Sequence, residues 1–203
     1  MDVSTLAEFL PALALAIALA ASAGLRAWLP LLLAGGLSRL GVLDLGSSFQ
    51  FLGSNKALVL FGVATAIELV GDKIPAVDHA LDVIGTPLRP AAGALLAASV
   101  LGTVTDPLTS VVLGTAVGAP SALVPHAAKA AMRAASTTVT GGLANPVLSF
   151  VEDAISLLVF ILAVGYFITP ALVGGADGQL ISNLIDFHMK NSNWSMAAAR
   201  SAM

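Results

Sequence analysis

The chain has 203 residues, 57% of them hydrophobic and only 10% charged, where an ordinary soluble domain carries roughly 25% charged residues. Nine Lys and Arg against twelve Asp and Glu leave a net charge of −3, so there is no basic footprint for a phosphate backbone. With too few polar groups to cover a soluble surface and no cysteine, the composition excludes a water-soluble enzyme, a disordered chain, a nucleic-acid binder and thiolate chemistry, and it reads as an integral membrane protein.

A bilayer-crossing helix needs about 20 mostly apolar residues. Residues 9–25 supply the first, uncharged throughout. Ala21-Ser22-Ala23 resembles a signal-peptide cleavage site, but Asp2 and Glu8 precede it without any Lys or Arg. That is the wrong charge for a signal, and the segment is expected to stay as a span. Residues 27–37 follow Arg26, contain Pro30 and are too short to cross alone. They read as a kinked continuation or a half-helix, ended by Gly35-Gly36. Residues 41–55, with Asp44, Gly46, Ser47, Gly53 and Asn55, form a loop, and Arg39 and Lys56 favour the cytoplasmic side for it.

The next helix covers 57–71 and carries Glu68, just ahead of Asp72-Lys73. Pro75 suits the first turn of a short helix closed by Gly85. Asp78 and Asp82 share one face of it, so it reads as interfacial or re-entrant. Residues 90–105 are a small-residue apolar run, Asp106-Pro107 a turn, and a short apolar piece follows to Gly118. Pro120 and Pro125 flank the entrance of another helix ending near Thr138. Gly141-Gly142 and Asn145-Pro146 break the chain before a span over 146–168. The expected fold is all-α: a polytopic membrane bundle of about six spans with broken or re-entrant helices. A single transmembrane domain covers 1–176, and a polar tail, interfacial or disordered, covers 177–203.

An internal repeat is suggested by two stretches. Residues 23–37 and 130–143 align Arg26 with Arg133, and Gly35-Gly36-Leu37 with Gly141-Gly142-Leu143. Each is followed by an acid-bearing helix, so the halves would be 5–105 and 106–176, as in transporters that pair two halves around a midplane site. Chance similarity among so many Ala, Gly and Leu residues is the alternative.

Charges inside apolar segments carry the rest. A charged side chain at a helix centre costs about 2.5–3.5 kcal/mol on insertion scales, so each must face a partner, a cavity or water. The leading set is Arg26, Glu68, Asp72, Arg133 and Glu152; Lys73, Asp78, Arg89, His126, Lys129 and Asp153 are second choices. His126, Lys129 and Arg133 are spaced i, i+3, i+7, a single helical stripe. Two readings are open: structural ion pairs, or the lining of a polar pathway. Asp78, His79 and Asp82 form a weak candidate metal site for a hard cation, against the plainer reading of an interfacial helix. No cofactor motif, phosphate loop or nucleophile elbow is present.

Read in chain order, the charged islands resemble a known pattern. They are Gly24-Leu-Arg26-Ala-Trp-Leu-Pro30, Glu68-Leu-Val-Gly-Asp72-Lys73-Ile-Pro75-Ala-Val-Asp78, Arg89-Pro90-Ala-Ala-Gly93, His126-Ala-Ala-Lys129-Ala-Ala-Met-Arg133 and Asn145-Pro146-Val-Leu-Ser149-Phe-Val-Glu152-Asp153. In this order they are similar to domain of unknown function 4126, a family of small bacterial and plastid integral membrane proteins. The resemblance covers roughly residues 5–175; it implies the membrane class and brings no activity with it.

The expected function is a small transporter or channel for an ion or small polar solute, not an enzyme, without cofactor, in the bacterial inner membrane. The alternative is a non-catalytic accessory subunit whose small-residue helices dock on a larger membrane complex. The expected partners are the lipid bilayer, a small ion or solute, and either a second copy or that larger complex, with no nucleic acid.

Overall fold

The computed structural model describes the backbone of residues 3–173; the side chains of residues 3, 4, 7, 75, 76, 78–80 and 167–173 and the whole of the expected tail over 177–203 lie outside the described residues. Six α-helices account for most of it: α1 Val3–Leu25, α2 Trp28–Arg39, α3 Asn55–Gly71, α4 Pro75–Leu101, α5 Pro107–Thr140 and α6 Asn145–Val173. A 3-10 helix, Ser47–Gly53, sits between α2 and α3, and no strand occurs among the described residues. The chain divides into a unit of residues 1–163 and a second of residues 164–203, of which the end of α6 is described.

Four helices, α1, α4, α5 and α6, are long and apolar enough to cross a membrane. The 3-10 helix and α3, bent by 58° at their junction, make a fifth candidate if taken together. Helix α5 distributes its side chains inside out compared with a soluble protein. Along α5 the buried positions are Ser110, Gly114, Gly118, Ala122, His126, Lys129 and Arg133, while Leu108, Val112, Val124 and Val139 are exposed. Burying polar residues and exposing apolar ones costs free energy in water and suits a hydrocarbon solvent. This is a membrane protein.

The core is α1, α4 and α5 packed on one another. Small residues set the spacing. A Cβ added to Gly93 of α4 would lie 2.7 Å from the Gly118 carbonyl oxygen and from the Ala122 Cβ on α5. Gly24 of α1 meets the Ala122 backbone and the Pro125 ring, and Gly114 meets Ala98. Such close approach lets the helices gain dispersion contacts where lipid offers no hydrophobic drive for association.

The caps follow local chemistry. Asp106 accepts from the Leu108 and Thr109 N–H groups, each at 3.1 Å, and Pro107 occupies the first turn of α5, where its missing N–H is not needed. Gly141 ends α5 in the left-handed region at φ 64, and Gly142 follows at φ 86, a geometry that suits glycine. Helices α2 and α3 run antiparallel, with the Trp28 and Phe61 rings stacked 6.2 Å apart. The loop before α3 tucks under the C-terminal end of α4, where Gly46 N–H donates to Ser99 O at 2.8 Å.

Several expectations need correction. The short helix over 75–84 does not close at Gly85: α4 is continuous to Leu101 through Gly85, Pro87 and Pro90. Gly85 is not a stop but a space, since a Cβ there would lie 2.7 Å from Arg89 Nη1. Likewise the pieces before and after Pro120 and Pro125 form one helix, α5; membrane helices tolerate interior proline when neighbours support the interruption. Gly35-Gly36 lies inside α2, where a Cβ on Gly35 would press on the Leu52 backbone. The repeat landmarks are therefore not equivalent. Arg26 occupies a break between helices while Arg133 lies within one, and one glycine pair is helical while the other has positive φ.

Candidate functional site

The charged residues found in the sequence converge in one layer. Arg26 stands at the break between α1 and α2, Glu68 and Asp72 at the end of α3, Asp82 and Arg89 on α4, His126, Lys129 and Arg133 on α5, and Glu152 and Asp153 near the start of α6. With Lys73, the described side chains in ion-pair contact comprise five cations and five carboxylates.

At the centre, Arg26, Lys129 and Arg133 surround Asp72 and Glu152. Arg26 pairs directly with Asp72. The Lys129 Nζ and Arg133 Nη2 atoms each lie 3.4 Å from the same oxygen, Asp72 Oδ2. Glu152 is gripped through both oxygens, by Arg133 Nε at 3.0 Å and Nη2 at 2.8 Å. Lys129 reaches it at 3.1 Å, and Arg26 at 3.8 Å. Arg26 also donates to the Ser149 hydroxyl at 2.9 Å and to its carbonyl at 3.1 Å. Bidentate Arg–carboxylate pairing is among the stronger ionic contacts. Around Asp72, burial raises the pKa, but Lys129, Arg26 and Arg133 outweigh it and hold the carboxyl below its usual range.

Glu68 plays a different part. The break after α1 frees backbone N–H groups at the start of α2, which no intrahelical carbonyl can satisfy. Glu68 accepts from Ala27 N–H at 3.2 Å and from Trp28 N–H at 3.3 Å, and Arg89 Nη2 approaches it to 3.7 Å. A carboxylate at a helix N-terminus is also favoured by the peptide dipoles. Glu68 lines one end of a largely apolar cavity of about 220 Å³ between α2, α3 and α4, together with Trp28, Ile67, Leu81, Ile84 and Leu88.

A short relay joins α4 to α5. Arg89 Nη1 lies 2.9 Å from His126 Nδ1. Arginine can only donate, so His126 accepts there and carries its proton on Nε2. That nitrogen faces Thr86 Oγ1 at 3.4 Å, whose own proton goes to the Asp82 carbonyl at 2.9 Å.

The outer rim is partly exposed. Asp82, Asp153 and Lys73 side chains are 32%, 22% and 28% exposed, whereas Arg26 is 0% exposed. Lys73 bridges to Asp153 at 3.1 Å and lies 4.4 Å over the Phe150 ring.

All five leading residues thus meet, as do Lys73, Arg89, His126, Lys129 and Asp153 from the second group. The side chains of Asp78 and His79 lie outside the described residues. Asp82 faces Arg89, Lys129 and Arg133 at 3.5–3.7 Å and is an ion-pair partner of all three. No group of three or more potential metal ligands occurs among the described residues. Residues missed in the sequence are Asp82 as an ion-pair partner, Thr86, Ser149, and the pair Ser22 and Ser156. The Ser22 and Ser156 hydroxyls each donate to the other's carbonyl, at 2.9 and 3.1 Å, and so join α1 to α6. Asp82, Thr86 and Arg89 are spaced i, i+4, i+7, a stripe visible once α4 is continuous. The serines, scattered through apolar runs, carry no such signal.

No curated protein and no solved structure matches the chain. The model of the family described as Domain of unknown function (DUF4126) matches residues 13–176, a range that holds every residue of the ion-pair layer. The chain belongs to that family.

Proposed function

We propose that the protein is a small, non-enzymatic transporter or channel of a bacterial inner membrane, moving an ion or small polar solute through the layer of charges between α1, α3, α4, α5 and α6. In this reading all six helices insert in the bilayer, with α2 and α3 as a shorter hairpin.

One observation carries the reading. Ten described charged side chains share a single layer, and three of the cations are almost wholly buried: Arg26 at 0% exposure, Arg89 at 1% and Lys129 at 1%. Buried ion pairs are a poor way to gain stability, because well-packed apolar residues often do as well or better. Ionisable residues within membrane helices accordingly mark pathways and coupling sites. Flux measured into liposomes holding the purified protein tests this. Solute entry well above that of empty liposomes, lost on replacing Glu152 or Lys129, is expected. If no ion or small polar solute enters and a stoichiometric membrane partner copurifies, the accessory-subunit alternative takes its place.

A further inference from the structure

On the transport reading just given, we infer that Asp72 is the resident occupant of an anion site made by Arg26, Lys129 and Arg133. The solute resting there in transit is a small monovalent anion, of carboxylate or halide size, that takes the place of the Asp72 side chain.

The lopsided grip on Asp72 leads to this. All three cations address one oxygen, Oδ2. The other, Oδ1, is buried and finds no hydrogen-bond partner among the described residues. An unsatisfied buried acceptor is costly; Asp82 and Asp153 also leave Oδ1 without a hydrogen bond, but a cation faces each of those oxygens. Glu152, beside the same three cations, uses both of its oxygens. The two acids also differ in mounting. Glu152 sits within α6, whereas Asp72 follows the last residue of α3, three positions before α4 begins at Pro75. Rotation about the Asp72 side-chain bonds moves its carboxylate without moving a helix. Once it leaves, three buried cations lose an anion they share, and a replacement is strongly favoured.

Charge and size select the class of replacement. Exchanging one carboxylate for one monovalent anion leaves the charge of the layer unchanged. A divalent anion would add negative charge next to Glu152, and a cation would meet the three basic groups directly. The space on offer is that of a single carboxylate. The rim of Lys73, Asp82 and Asp153 is the more exposed side of the layer and the side from which an anion would enter. Toward Gly93 the helices leave no such space, since Gly118 and Ala122 come too close to admit a Cβ there.

The test is Asp72→Ala, purified in detergent and melted with increasing sodium formate, chloride, gluconate or sulfate. Formate and chloride should raise the variant's Tm saturably, by about 5 °C or more once the site fills. Wild type, its site already filled, should respond much less, and gluconate and sulfate should do little for either. If Asp72→Ala cannot be recovered, Asp72→Ser, which also vacates the carboxylate space, should be recovered only in buffers containing formate or chloride. Equal response to all four salts, no response to any, or recovery of neither variant in any buffer overturns the anion site. Flux separates this from the broader reading. Salt-specific stabilisation with no solute crossing in the wild type keeps the site and removes transport. Cation flux with an anion-indifferent Asp72→Ala keeps transport and removes the site.

Discussion

Helix α5 buries one stripe, and that stripe changes chemistry at its middle. From Ser110 through Gly114 and Gly118 to Ala122 it is made of small residues that let α1 and α4 come close. From His126 through Lys129 to Arg133 it is basic and meets the carboxylates of Asp72, Asp82 and Glu152. The first half has no room and no charge; the second is crowded with charge that apolar packing does not require. The two halves should therefore fail in different ways, one to added volume and the other to removed charge.

The largest effect is expected in the charged half. Arg133→Ala strips Glu152 of its bidentate partner and Asp72 of one cation, and loss of a buried partner typically costs about 3–5 kcal/mol. Glu68→Ala should act in the same direction by releasing Arg89 and the N–H groups that open α2. Thermal unfolding in detergent measures both, and Arg133→Gln combined with Glu152→Gln should recover part of the loss. Unchanged melting in both single variants would mean that these residues are solvated.

Next comes the small-residue half. Gly118→Ala forces atoms into the Gly93 backbone and the Ala97 side chain, an overpacking cost of about 1–3 kcal/mol. Gly36→Ala is the control: nothing lies within 4 Å of a Cβ there, and alanine at this helical site should stabilise by about 0.4–1 kcal/mol. If Gly118→Ala melts as the wild type does, the tight contact between α4 and α5 is wrong.

Acid separates the halves further. The Asp72 carboxyl is depressed in the folded state, mainly by Lys129, Arg26 and Arg133 against the opposing effect of burial. A depressed carboxylate contributes stability that is present above its unfolded value, about 3.9, and is lost as pH falls through the lower folded value. Melting temperature should thus drop on acidification from that value downward, and Asp72→Asn should shrink that drop. The loss caused by Gly118→Ala should stay constant across the same range. The smallest effect falls outside both halves. Asp106→Ala removes the exposed cap of α5 and should lower Tm less than any change above, with Asp106→Ser restoring it.

Much of the site was legible because charge in an apolar segment is conspicuous. Arg26, Glu68, Asp72, Arg133 and Glu152 stood out by cost alone, and the spacing of His126, Lys129 and Arg133 gave their shared face. The helix ends were harder. Gly85 read as a stop and Pro90 as the start of a separate run, since their local preference is to break helices. In the fold Gly85 instead makes room for the Arg89 guanidinium, and α4 runs on. That misreading hid the stripe of Asp82, Thr86 and Arg89. The role of Glu68 at the start of α2 was beyond reach, because the break it caps lies about forty positions earlier in the chain.

Whether the charged half carries solute or merely holds helices is decided most directly by flux through the doubly neutral variant, Arg133→Gln with Glu152→Gln, in liposomes beside the wild type. Each protein is first shown by its melting curve to be folded. A pathway predicts a folded double variant whose solute entry falls by about tenfold or more, equivalent to roughly 1.4 kcal/mol on the barrier. Entry at the wild-type rate, or none in the wild type itself, would contradict it.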